Sequence, residues 1–346
     1  MKKELQPTYG NFVLKGVVGG TQSDKFYNFG STNGSEWRRL NFSVKVNDNA
    51  SVFVEMMGNK NEKVKLVDNS DKKNKQEMFV PWADRYKERK DKFEIFMASK
   101  VGLVKEENSE KNKVYSLTQY DATEYIKNNL KDGDSVYIRG SMEYSKYDGK
   151  AQVKYKIQQI YSTSEPIEFN DEYEPEASFN QEIVYLDSEY DETTNKTAIN
   201  TYVIFKDKSG VHPLPYMFFI NHEKYKNDEE KTKALNNLKS SFERLTYGSS
   251  IKVNGNINIY MEKVEEGEEQ EIEDVIPDFG GFQAKGQETY VRGNTIRELE
   301  ITGGDGKTLI LDRYDEEDFI PTADPFSDND GNIQKNPFED DDNLPF

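Results

Sequence analysis

Apolar and polar residues alternate along most of this chain of 346 residues, and that period of two predicts short β-strands. A first strand is expected over 11–19, followed by a polar, glycine-rich loop to about Glu36 that carries Lys25, Phe26, Tyr27 and Phe29. Over 37–47 the alternation is strict: Leu40, Phe42, Val44 and Val46 share one face, while Trp37, Arg39, Asn41, Ser43 and Lys45 share the other. Further strands are expected over 51–57 and 93–104. Residues 120–130 have helical spacing with Asp121 near the start. Two alternating strands, 135–144 and 151–161, are joined by a hairpin with Asp148 and Gly149 at its tip, a favoured tight-turn pair.

The same order then recurs. Strands are expected over 181–190, 198–206 and 216–221, and a helix over 228–245, with Leu235, Leu238, Phe242 and Leu245 on one stripe. Strands over 251–260 and 288–301 complete the second series. The octet from Gly133 to Gly140 (Gly-Asp-Ser-Val-Tyr-Ile-Arg-Gly) matches that from Gly248 to Gly255 (Gly-Ser-Ser-Ile-Lys-Val-Asn-Gly) at a constant offset, each just after its helix. A strand bending sharply to close a small barrel needs a position without Cβ, which accounts for the glycines. The domains expected are 1–164, with a charged insertion at about 59–92, and 179–302, joined by a proline-containing linker at 165–178. A tail over 303–346 follows.

Five strands with a helix between the third and fourth is the order of the OB-fold. The fold class expected is therefore mainly β: two tandem five-stranded OB-fold barrels, each with a helix between strands 3 and 4, plus a disordered acidic C-terminal tail. The stretch 132–150 resembles the fourth-strand hairpin of bacterial single-stranded-DNA-binding proteins, and 40–47 resembles their second strand. The end of the chain, Glu339, Asp340, Asp341, Asp342, Asn343, Leu344, Pro345 and Phe346, resembles the acidic tip by which those proteins recruit replication and repair enzymes. As a whole the chain resembles a tandem-OB single-stranded-DNA-binding protein of bacteriophage type. Bacterial members with one barrel per chain form tetramers, a property not carried over here, and the insertion has no counterpart in them.

Charge sharpens this picture. Residues 1–164 carry 29 Lys/Arg against 22 Asp/Glu, 165–311 carry 15 against 30, and 312–346 carry 2 against 12, which together give the net −18. A basic first part before an acidic remainder suits a polyanion-binding domain with an acidic tail. The tail repeats Pro-Phe at 325–326, 337–338 and 345–346, and its low apolar content predicts disorder. At the tip, Phe346 and Leu344-Pro345 would fill an apolar cleft while basic residues of a partner pair with Asp340, Asp341, Asp342 and the terminal carboxylate. A purely solubilising tail is the alternative.

Holding single strands without reading sequence takes cations along the phosphates and flat side chains for base stacking. The candidate contacts are Trp37, Arg39, Asn41 and Lys45 on the second strand, Tyr137 and Arg139 on the fourth, Tyr144, Lys146, Tyr147 and Lys150 at the hairpin tip, and Lys154 and Lys156 on the fifth. Trp37 reads equally as a core or rim residue. In the insertion, Trp82, Arg85 and Tyr86 interleave aromatics with bases, as a flap closing on the strand or as a solvated helix with a few buried aromatics. The second domain, with seven acids and no base over 265–274, is expected mainly to scaffold or contact proteins; Lys252, Arg292 and Arg297 are its available bases.

Enzymatic chemistry is not expected. Cysteine is absent, so disulfides, thiolate metal sites and a cysteine nucleophile are excluded. His212, expected in a loop, and His222, at a strand end, lack metal-ligand spacing, and 303–308 lacks the full P-loop pattern. No catalytic residue, cofactor or metal is assigned. No run approaches 18 apolar residues and the start lacks a signal-peptide core, so no membrane partner and a cytoplasmic location are expected, that of a bacterial host for a phage protein. The expected function is sequence-nonspecific binding and protection of single-stranded DNA in replication, recombination or repair, with the tip recruiting replication or recombination proteins. The alternative is a replication-accessory adaptor whose barrels contact proteins rather than DNA. Oligomeric state is left open.

Overall fold

A computed structural model describes residues 2–47, 50–68, 70–71, 74–89, 92–107, 109, 111–147, 150–170, 173–261 and 295–320. The Asp148-Gly149 turn, the acidic run at 265–274, Arg292 and the whole Pro-Phe tail lie outside them.

The first unit comprises β1 (Gly10–Gly19), β2 (Tyr27–Thr32), β3 (Ser35–Asn47) and β4 (Ala50–Asn59), then the insertion with β5 (Lys63–Asp68), β6 (Gln76–Pro81) and β7 (Glu94–Ile95). It continues through β8 (Ser99–Gly102), β9 (Tyr115–Leu117), α1 (Gln119–Asn129), β10 (Ser135–Tyr147) and β11 (Lys150–Ser162). β1 pairs with β3, β3 with β4, β4 in parallel with β11, β11 with β10, and β10 back with β1, so five strands close a barrel. Helix α1 sits between the third and fourth of them. Its N-cap Thr118 accepts a hydrogen bond from the Asp121 amide, and Ala122 and Ile126 enter the core.

The second unit repeats the scheme with β12 (Glu176–Asp191), β13 (Lys196–Asp207), β14 (Gly210–Asn221), α2 (Glu229–Phe242), β15 (Ser250–Met261) and β16 (Thr295–Ile310). β12 pairs with β13, β13 with β14, β14 in parallel with β16, β16 with β15, and β15 with β12. Asp228 caps α2, which buries Leu235 and Phe242.

The glycine octet has the same geometry in both barrels. Gly133 and Gly248 adopt positive φ, +91° and +76°, at the turn into the fourth strand. At Gly140 and Gly255 that strand bulges so closely against the fifth that a Cβ would lie 1.8 Å from the Lys156 carbonyl oxygen and 1.7 Å from that of Glu300.

The barrels are joined by a ladder as well as by the linker. β1 pairs antiparallel with β12, and Phe12 stands directly opposite Phe179. Each phenylalanine also faces its own barrel's bulge glycine, Phe12 to Gly140 and Phe179 to Gly255, so a local two-fold axis passes between them. One apolar core runs through both barrels. The N-terminal segment lies on the second barrel: the Lys3 amide donates to Asp318 and the Gln6 amide to the Tyr314 hydroxyl.

Several boundaries differ from the sequence expectation. The loop at 20–36 contains β2, and 93–104 divides between β7 and β8. β12 starts at Glu176, inside the expected linker. β14 starts at Gly210, so His212 lies in a strand. Pro213 and Pro215 are tolerated there because, among the described residues, this half of β14 has no second neighbour, β16 pairing with β14 at Phe219. The last strand runs to Ile310, and beyond it Tyr314 and Phe319, the latter in a short helix α3 (Glu316–Phe319), pack on Val184 and Ile204. Residues 303–320 therefore belong to the second barrel and not to the tail.

Candidate nucleic-acid interface

Strand parity directs the outward side chains of the first barrel. On β3, Leu40, Phe42, Val44 and Val46 are buried and Trp37, Arg39, Asn41 and Lys45 point out, half-buried. The Trp37 ring lies on Gly30 of β2 and its Nε1 donates to Thr32 Oγ1 at 3.2 Å. Beside β3, the outward side of β4 carries Ser51, Phe53, Glu55 and Met57, with Phe53 54% exposed. Phe53 faces Ser43 across the ladder, between the rows of Asn41 and Lys45. The sequence candidates do not include it, although the alternation over 51–57 places it opposite Val52 and Val54.

The centre of this face is an ion-pair cluster. Glu55 is a buried carboxylate that accepts from Arg39 Nη2 at 2.8 Å and pairs with Lys156 Nζ; Lys156 is also 3.6 Å from Glu143. Burial pushes the Glu55 carboxyl upward, but Lys156 and Arg39 outweigh it and hold the group below its usual range. Two expected phosphate ligands, Arg39 and Lys156, are thus partly neutralised by a neighbour. Arg139, Lys146, Lys150 and Lys154 are exposed, with no carboxylate in salt-bridge range among the described residues.

The remaining candidates separate. Tyr147, 37% exposed, and Lys150 stand at the hairpin end of β10 and β11, whereas Lys146 shares the parity of Tyr144 and lines a groove with Lys2, Lys3, Phe205 and Pro213, away from the outward face. Tyr137 and Arg139 lie about 26–33 Å away along β10 at 3.3 Å per residue, beside Lys15 and Tyr161. Linker residues cover that end: the Tyr173 hydroxyl donates to the Lys15 carbonyl at 2.9 Å, and Lys45 Nζ lies 5.0 Å from the Phe169 ring centroid. The candidates therefore form two groups and not one continuous row.

Two expectations, covering four candidate residues, need correction. Tyr144 shares the inward parity of Met142; it is buried, packs edge-on against Tyr216 of the second barrel at 5.2 Å, and offers no face to a base. The insertion segment with Trp82, Arg85 and Tyr86 is not a free flap: it opens with a 3-10 turn over Trp82–Asp84 and is anchored to α1. Arg85 binds Asp121 through Nε at 2.8 Å and Nη2 at 3.1 Å, the Tyr86 hydroxyl donates to the same carboxylate at 2.7 Å, and Trp82 packs on Tyr120. Burial raises the Asp121 carboxyl, yet hydrogen bonds from Arg85, Tyr86 and Thr118 bring it below its ordinary range. The knot pins the insertion to the start of α1.

The second barrel presents a different outward surface. Glu300 occupies the place of Lys156, as the two carbonyls against Gly255 and Gly140 show. It accepts from Lys224 at 2.9 Å and from Asn258 at 2.9 Å, while Lys196 binds Glu298. Across the two-fold axis runs a groove of about 340 Å³ lined by Asn11, Asn180, Asn254 and Asn256, without a charged group.

Two closed barrels with the strand order 1-2-3-5-4-1 and a helix before the fourth strand define a tandem OB-fold protein. The profile of the YorF family matches residues 12–336, and the chain belongs to that family. No curated protein matches the sequence. Among solved structures, the wild-type single-stranded DNA binding protein from Thermus aquaticus is similar at 13% identity, covering 73% of this chain and 87% of that one, with a TM-score of 0.33. A deletion variant of the same protein gives 14% identity, coverage of 72% and 86%, and a TM-score of 0.32. The barrel assignment rests on the strand pairings alone. No helix among the described residues is long and apolar enough to cross a membrane.

Proposed function

We propose that this protein binds single-stranded DNA without reading its sequence, through the first barrel. The observation that carries this reading is the outward face of β3 and β4 beside the β10–β11 hairpin. It combines the exposed Phe53 ring and half-buried Trp37 with exposed Lys150 and Lys154, the rings to stack bases and the ammonium groups to follow phosphates. The chain acts by binding and not by catalysis, and protects single strands in replication, recombination or repair, as a bacteriophage-type protein would. The second barrel, whose Lys196 and Lys224 are held by Glu298 and Glu300, acts mainly as scaffold. The tip at Asp340, Asp341, Asp342, Leu344, Pro345 and Phe346 recruits partner enzymes, a reading that rests on sequence.

Titration of the Trp82→Phe variant with poly-dT tests the binding. Trp37 is then the sole tryptophan, and its quenching together with an affinity that falls steeply with salt is expected. Binding that is absent, or indifferent to salt, contradicts the proposal. Deleting 339–346 should abolish capture of replication proteins and leave DNA affinity equal or higher.

A further inference from the structure

The insertion folds into a small sheet, β6-β5-β7, with two unlike faces. Val64, Leu66 and Val80 are buried on one, against Met78, Trp82, Phe93 and Ile95. On the other, Lys65 pairs directly with Phe79, and the Phe96 amide donates to the Lys65 carbonyl at 3.0 Å. Phe79, Lys65 and, one residue past the end of β7, Phe96 thus form one row, with the rings 63% and 47% exposed. Lys65 Nζ lies 4.7 Å from the Phe96 centroid and 2.7 Å from Glu77.

From this geometry we infer that the outward face of the small sheet is a second stacking platform for unpaired bases of single-stranded DNA. The inference rests on the proposed single-strand binding and adds a site to it. Scattered exposed apolar residues are ordinary; two rings in register on either side of a lysine are a patterned surface. Their strands are two spacings apart, roughly 9.5 Å, so a base on each ring leaves the intervening backbone near Lys65. Lys63, in the next row beside Pro81, extends the cationic edge, and Glu77 and Glu94 in the row on the other side keep phosphates toward Lys63. Charge favours a polyanion: 59–92 carries 11 bases and 7 acids in a chain of net −18. The platform is also held in place. Arg85 on Asp121 and Trp82 on Tyr120 fix the sheet to α1, so little ordering remains to oppose binding.

The test is a titration of the full chain with a fluorescently labelled oligo-dT at several salt concentrations. Phe79→Ala and Phe96→Ala should each weaken binding by about 5- to 150-fold with an unchanged salt slope, and Phe→Tyr at either place should restore it. Lys63→Gln should lower the slope by about 0.7, and Lys65→Gln, whose ammonium is already paired with Glu77, by less. Because both rings are exposed, thermal melts of the variants should match the parent. A parent that binds tightly while the double alanine variant binds equally well overturns the platform and leaves the first-barrel reading intact. A parent that fails to bind overturns both. Loss of self-association in the double variant at unchanged DNA affinity overturns the platform in favour of a protein-contact surface.

Discussion

Glu55→Gln separates stability from binding in a way specific to this barrel. The Glu55 side chain is 9% exposed and holds Arg39 at 2.8 Å together with Lys156. Removing one partner of a fully buried ion pair costs about 3–5 kcal/mol. Here Arg39 is 41% and Lys156 23% exposed, and Lys156 keeps Glu143 at 3.6 Å, so both cations can rehydrate and the expected loss is about 1–3 kcal/mol. The carboxyl titrates below its ordinary 4.5 in the folded state. Its contribution is therefore complete above the unfolded value and disappears as pH falls through the lowered folded value, so the variant should lose less stability on acidification than the parent. The same change frees two cations on the proposed binding face. DNA affinity at low salt should rise, and the slope of log affinity against log salt should steepen by up to about 1.4. Urea unfolding at neutral and acid pH measures the first effect, and oligo-dT titration across salt the second. A variant that is less stable yet binds DNA with the parent's slope, or more weakly, would refute the placement of the site.

Two further substitutions test the fold that positions this face. Gly140→Ala and Gly255→Ala each drive a Cβ into a carbonyl oxygen less than 2 Å away, and each should cost about 1–3 kcal/mol or more, read from urea midpoints; tolerance of either would contradict the paired bulges. The Tyr144 hydroxyl is buried without a hydrogen-bond partner among the described residues, so Tyr144→Phe should be neutral or stabilise by about 1 kcal/mol, whereas Tyr144→Ala should cost about 3–5 kcal/mol and leave DNA affinity intact while the protein stays folded.

Local pattern carried much of the architecture. Alternation over 37–47 orients Leu40, Phe42, Val44 and Val46 inward and Trp37, Arg39, Asn41, Ser43 and Lys45 outward as the structure has them, and the glycine octets mark equivalent bulges in two barrels. A hairpin-tip position suggests an exposed Tyr144, but its parity with Met142 points inward, and the parity wins. Prolines 213 and 215 masked half of β14, since whether a proline is tolerated depends on an edge that exists only in the folded sheet. The acids around Tyr314 and Phe319 hid two residues that pack on Val184 and Ile204. Pairing of Glu55 with Lys156 depends on the parallel register of β4 and β11, about a hundred residues apart in sequence, which no local pattern encodes. The same limit applies to Arg85 and Asp121.

Photo-crosslinking of iodouracil-substituted oligo-dT to the full chain, with the modified residues mapped by mass spectrometry, tests the central claim most directly. The account predicts adducts on the first barrel, foremost at Phe53, Trp37 and Tyr147. Adducts confined to the second barrel, or none at an oligonucleotide concentration that saturates binding, would contradict it.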